Sequence, residues 1–191
     1  MNTYRATARA VPFLAAAALA ACAILGPSTV SDITADYDPG EYARATQARA
    51  IPVTVRSGAL GVDRAALTEA IAKNMAGHDV AGHGRFTATP TNGGDSVFSF
   101  AFAIDPPAQE IAEELCTDRS VSSAVPAVND GNVRLIGALC RYNQAVTTVD
   151  GQASGVSGPN DPTFATLIAA ATRDLTPVTT TDPLKDSIEP N

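Results

Sequence analysis

His78 and His83 are the only two histidines of the chain. They share the stretch 77–84, GHDVAGHG, with Asp79. Imidazole and carboxylate are ligand types for a divalent metal, so a His-Asp-His cluster here would be the seat of a small metal-dependent hydrolase. Ligand type without a spacing motif is a thin basis, however, and a glycine-rich loop lacks the rigidity that fixes ligand geometry. The better reading is a solvated loop, with His78, Asp79 and His83 kept as the metal-ligand candidates. A serine nucleophile finds no Gly-x-Ser-x-Gly elbow, since Gly155-Val156-Ser157-Gly158 has the wrong spacing and reads as a turn. A phosphate at the helix start that follows would face Asp161, and no Gly-Lys-Ser/Thr is present, so a nucleotide site is rejected. Glu113 and Glu114 are adjacent and point apart on a helix, while Asp36 and Asp38 fall in an irregular stretch, so neither is an acid/base pair. Phe98, Phe100 and Phe102 alternate along a strand; they read as core, with an apolar-ligand pocket the lesser reading. No catalytic residue and no cofactor is assigned.

The cysteines say more. Residues 1–21 carry Arg5 and Arg9 ahead of an apolar run from Val11 to Ala21. That run is shorter than the ~20 residues of a membrane span and suits the apolar part of a signal peptide. It ends in Leu19-Ala20-Ala21-Cys22, which resembles the lipobox of bacterial lipoprotein precursors. The resemblance implies cleavage before Cys22, a diacylglycerol thioether on its sulfur, and acylation (palmitate or a similar chain) of the new amine. It also implies attachment to the lipid bilayer through acylated Cys22, with several chains on one residue giving stable anchoring. Residue 23 is Ala rather than Asp, which in Gram-negative lipoproteins favours the outer membrane. With Cys22 used this way, Cys116 and Cys140 remain as an even pair in an exported protein, and a structural disulfide is expected. It would close a loop of about 25 residues and contribute ~3 kcal/mol in the chain-entropy account.

Charge agrees with an anchor rather than a sticky surface. The 191 residues hold 13 Lys and Arg against 20 Asp and Glu, a formal charge of −7. Removal of residues 1–21 takes away Arg5 and Arg9 and no acid, which makes it −9. Such a body has no general affinity for nucleic acid or anionic headgroups. The absence of Trp and the 5% aromatic content also speak against a stacking surface for bases.

The elements follow from pattern. Residues 22–50 show Gly, Pro and scattered charge without periodicity and read as lipid anchor and tether. A strand at 51–56 alternates, and Asp63 caps a helix over 64–76 that Gly77 ends. A short strand at 85–89 and a strong one at 96–104 flank a turn at 91–95 and predict a hairpin. Asp105-Pro106 predicts a short helix running toward Cys116, and 117–131 a long loop. Strands at 133–140 and 145–150 predict a second hairpin. Asp161-Pro162 starts the last helix, whose stripe is Phe164, Leu167, Ile168, Ala171 and Leu175. Residues 178–191 read as a disordered tail. The fold class expected is α+β, in the order β-α-β-β-(α)-β-β-α. A mostly antiparallel or mixed sheet carries two helices on one face within a single domain over 51–177.

Val53 to Gly58, Met75-Ala76-Gly77, Arg85-Phe86-Thr87-Ala88-Thr89-Pro90, the two later cysteines and Gly155 to Phe164 form a second, longer pattern. It resembles small envelope lipoproteins of Gram-negative bacteria that have no assigned activity. The element order is similar to the small α/β domains of lipoproteins that assist secretion pores or cell-wall synthases, a likeness of fold alone. Together these imply a non-enzymatic binding or accessory module on the periplasmic side of the outer membrane, with an envelope protein as partner and neither nucleic acid nor nucleotide. The alternative is the small periplasmic hydrolase using His78 and His83.

Overall fold

Aspartate side chains start all three α-helices of the described residues. Asp38 accepts from the backbone N–H groups of Gly40 (2.7 Å) and Glu41 (3.2 Å) at the head of α1, Pro39–Ala48. Asp63 accepts from Ala66 N at 2.8 Å ahead of α2, Arg64–Met75. Asp161 accepts from Thr163 N at 2.7 Å ahead of α3, Pro162–Leu175. Each carboxylate satisfies N–H groups that the first turn leaves without an intrahelical acceptor. Pro39 and Pro162 occupy the start of their helices, where a missing N–H costs nothing.

The computed structural model describes residues 26–58, 60–88, 96–108, 110–117 and 131–178. Besides the helices these form β1 (Ser28–Ile33), β2 (Ile51–Ser57), β3 (Phe86–Thr87), β4 (Phe98–Ile104), β5 (Val133–Arg141) and β6 (Gln144–Ala153), with a 3-10 helix over Ala112–Cys116. The six strands make one mixed sheet in the order β1-β6-β5-β4-β2-β3. β4, β5, β6 and β1 pair antiparallel in turn, and β2 runs parallel to both β3 and β4. The class is therefore α+β, and the hairpin expected around residues 141–144 is present between β5 and β6.

Three expectations are corrected. The strands at 85–89 and 96–104 do not pair with each other: β2 lies between them, and the turn at 91–95 is outside the described residues. The Phe row of β4 needs a neighbour that continues its apolar face. Seven-residue β2 supplies one, with Val53 beside Phe100 and Val55 beside Phe102, whereas β3 is two residues long. The parallel pairing this creates requires a crossover, which α2 provides. Second, part of the stretch read as tether is β1 and α1, so the described residues hold three α-helices and a sixth strand. Third, Asp105 caps no helix. It has φ +48°, accepts from Arg134 N through its side chain (2.9 Å) and donates its own N–H to Arg134 O (2.7 Å), which ends β4 against β5.

The two faces of the sheet differ in residue size. Phe98, Phe100, Phe102 and Ile104 point to the helices and are at most 1% exposed. They pack with Tyr42 of α1, Leu67, Ile71 and Met75 of α2, and Phe164, Leu167 and Ile168 of α3. Tyr42 stands edge-on to Phe98 and Phe100 at 5.7 and 6.3 Å between ring centroids, the arrangement aromatic quadrupoles favour. Opposite Phe102 stands Gly137, where a Cβ would lie 2.7 Å from the ring. The other face presents Ala101, Ala103, Ile136, Ala138 and Cys140, and the 3-10 helix closes over them with Leu115 and Cys116. Small side chains let that short helix approach closely, and Arg56 Nε holds it by donating to Leu115 O at 3.1 Å.

Candidate functional site

The loop that follows α2 is built around Asp79. Gly77, at φ +77°, turns the chain out of the helix, and His78 N donates back to Met75 O at 3.1 Å. Asp79 is 6% exposed. Its carboxylate accepts from Gly84 N at 3.1 Å, and its carbonyl accepts from Gly82 N at 2.9 Å. Val80 N donates to Thr176 Oγ1 at 3.0 Å, fastening the loop to the end of α3. The second carboxylate oxygen of Asp79 and the hydroxyl of Tyr42 are both buried without a hydrogen-bond partner in the protein. Burial, and then the charge of Asp79, push the Tyr42 phenol well above its ordinary range. Tyr37 is raised by burial first, then by Asp38 and Asp79, and its hydroxyl donates to Pro177 O at 3.1 Å. These phenols stay protonated at any physiological pH, which suits donation and not base chemistry.

The three metal-ligand candidates take different environments. The Asp79 carboxylate turns inward. His78 lies at the surface with Nδ1 3.4 Å from the Arg173 guanidinium, a cation that a ligating imidazole would share its space with. His83 is exposed. Among the described residues no group of three or more His, Cys, Asp or Glu side chains is arranged to hold a metal ion. The surface depression beside the loop, about 510 Å³, is lined by His78, Asp79, Arg173, Thr176 and Val178 among others.

The remaining sequence candidates fall out as follows. Cys116 and Cys140 form a disulfide with Cα atoms 5.4 Å apart, joining the 3-10 helix to β5. Cys22 lies outside the described residues, as do residues 179–191. Glu113 and Glu114 are both exposed on the 3-10 helix, and Asp36 is exposed in the turn before α1. Ser157 donates its hydroxyl to Asp161 at 2.6 Å and its N–H at 3.1 Å, so it belongs to the cap of α3. Those bonds, the hydroxyl first and then the N–H groups of Ser157 and Thr163, hold the Asp161 carboxyl down to about 2.

Sequence reasoning missed Glu110. Both its carboxylate oxygens are buried without a hydrogen-bond partner, and its pKa is raised by burial and by Glu114, with Arg134 acting the other way. Only a tertiary neighbour distinguishes Glu110 from other surface acids, so no local pattern signals it. At the sheet end nearby, a cleft of about 520 Å³ is lined by Gly26, Ser28, Asp105, Asn132, Arg134 and Ser154 among others. Arg134 is engaged there by Asp150 through a forked pair, Nε to the carboxylate at 3.2 and 3.3 Å.

No family model matches the chain, and no curated protein matches it. Among solved structures it is similar to the PelC dodecamer from Paraburkholderia phytofirmans. A point variant of that protein in space group C2 aligns at 10% identity and a TM-score of 0.42, covering 80% of this chain and 99% of the other. The PelC dodecamer in space group P6 aligns at 10% identity and a TM-score of 0.42, covering 78% and 97%.

Proposed function

We propose that the protein is a lipoprotein of the bacterial envelope, anchored through acylated Cys22 in the outer membrane and facing the periplasm. There it acts as a non-enzymatic binding or accessory module for another envelope protein. The observation that carries this reading is Leu19-Ala20-Ala21-Cys22 at the end of an apolar run, four residues before Gly26. The Cys116–Cys140 disulfide supports it, because such bonds persist in oxidising compartments. Metabolic labelling with a palmitate analogue tests the anchor. The expected result is label on the wild-type chain and its recovery with membranes, and neither for Cys22→Ser. A Cys22→Ser chain that still carries label and still sediments with membranes overturns the reading. Cross-linking in intact cells, followed by solubilisation and capture of a C-terminally tagged copy, then tests the accessory role. One dominant envelope protein is the expected yield, and a clean monomer counts against it. The hydrolase alternative predicts stoichiometric metal that is lost when His78 and His83 are both replaced by Ala.

A further inference from the structure

The distance between the proposed anchor and the folded domain is short, and that fixes which part of the domain meets the bilayer. From Cys22 to Gly26 there are four residues, which span at most ~14 Å when fully extended. Gly26 is already seated in the cleft at one end of the sheet, beside Asp105, Asn132, Arg134 and Ser154. We infer that this sheet end lies against the lipid headgroup layer, with the β5–β6 turn at Tyr142-Asn143 directed away from it. The inference rests on the lipoprotein reading of Cys22.

Three further observations orient the domain. The chain enters through residues at the ends of β4, β5 and β6, not along the outer edge of β1, since Ser28 is in register with Gln152 near the end of β6. β6 is ten residues long, so the Tyr142-Asn143 turn stands ~30 Å from the cleft along the strand direction. Asp32, at the opposite end of β1, and Asp36 and Asp38, which follow it in the chain, are each exposed, and an anionic headgroup layer repels them. The cleft mixes the apolar Val133 and Ala153 with polar side chains such as Asp105, Asn132, Arg134 and Gln152. The exposed large hydrophobic residues, Val30, Ile111, Tyr142 and Val178, do not line it. The exposed Arg134–Asp150 ion pair at this end makes the partner the headgroup layer and not the acyl core, where such charges are costly to bury. A tether of ~28 residues, as the sequence pattern first suggested, would have left the orientation free.

The test uses the full mature lipoprotein in nanodiscs of phosphatidylethanolamine and phosphatidylglycerol doped with a nitroxide-headgroup lipid. Amide relaxation is read by NMR. Asn132, Gln152 and Ser154 should be broadened several-fold more than Tyr142 and Asn143. A Gly-Ser insertion of twenty residues between Cys22 and Gly26 should abolish the contrast. Equal broadening at the two ends, or more at the β5–β6 turn, overturns the orientation while leaving the anchor intact. A wild-type chain that fails to enter the nanodisc and carries no acyl mass overturns both the anchor and the orientation built on it. Broadening that the insertion leaves unchanged also refutes the inference.

Discussion

Loss of the Cys116–Cys140 bond should lower the stability of the domain by an amount the loop length sets. The two residues are 24 apart. Cross-linking a loop of that length removes about 3.5 kcal/mol of entropy-derived stability from the unfolded chain at 25 °C. Cys140 is 1% exposed and Cys116 5% exposed, so replacing both with Ala also leaves small voids beside Ala101 and Ala138. The 3-10 helix is held by more than the bond: Leu115 is fully buried and its carbonyl accepts from Arg56. Native secondary structure should therefore survive reduction. For a domain of this size the loss corresponds to a drop in Tm of roughly 10 °C. The assay is urea unfolding of the Cys22→Ser chain, oxidised against fully reduced, followed by far-UV circular dichroism. The m-value should rise on reduction, because the uncross-linked unfolded chain exposes more surface. Equal midpoints and equal m-values in the two forms would refute the reasoning, since the bond would then constrain nothing in the unfolded chain.

Two further substitutions probe other levels of the fold. Gly137→Ala places a Cβ 2.7–2.8 Å from the Phe102 ring and 3.1 Å from Val149 Cγ1. Both neighbours are packed in the core, so it should cost ~1–3 kcal/mol in chemical denaturation; a neutral result would mean that the ring can move. Asp161→Ala should destabilise the chain at pH 7 in a pH-dependent way. The folded carboxyl titrates at about 2, below its unfolded value near 4. Its contribution is therefore present above pH ~4 and is lost as the pH falls toward 2. Melting curves should show the gap between wild type and variant closing over that window, and a gap independent of pH would show that the Ser157 and Thr163 bonds do not favour the charged form.

The elements that could be read from the chain are those with strong local chemistry. Asp161-Pro162 and Asp63 announce their helices, and the Phe row of β4 shows its face without any tertiary information. The failures share a cause. Asp38-Pro39 is the same signal as Asp161-Pro162, but α1 buries only Tyr42 and Thr46, too few residues to make a visible stripe. β1 is Ser-Thr-Val-Ser-Asp-Ile, and its half-buried side consists of Thr29, Ser31 and Ile33. Two of those three are hydroxyl residues, and Thr29 Oγ1 is bonded to Asp174 of α3. That side combines a polar contact with the single apolar residue Ile33 packed against the core, so a search for alternating apolar residues passes over it. Strand order fails for a different reason. The turn expected from residues 91–95 makes a hairpin of its flanking strands the nearest pairing, and the competition of β2 for the edge of β4 rules it out.

The same distinction governs the residues whose types suggested chemistry. Spacing brought His78, Asp79 and His83 together on paper, yet the fold gives each a different task. A buried carboxylate is costly unless hydrogen bonds reach it, and Asp79 meets that cost only in part: one oxygen accepts from Gly84 N, the other is buried without a partner, and Gly84 is small beside it. A Cβ on Gly84 would stand 2.7 Å from the Asp79 carboxylate and 2.8 Å from Phe86. Asp79 thus pins its own loop through Gly82 and Gly84, and its neighbour Val80 ties that loop to the end of α3. His78 instead accompanies Arg173 at the surface. Ser157 and Asp161 are likewise a cap, and the cysteine pair a cross-link. A side chain that the fold already needs for its own hydrogen bonds is a poor place to lodge a ligand, because binding would have to break the bonds that position it. At the sheet end where the chain enters the domain, by Gly26, Asp105 and Arg134 are likewise engaged, by the Arg134 N–H and by Asp150, so what that end offers a membrane is a surface held in place by its own bonds.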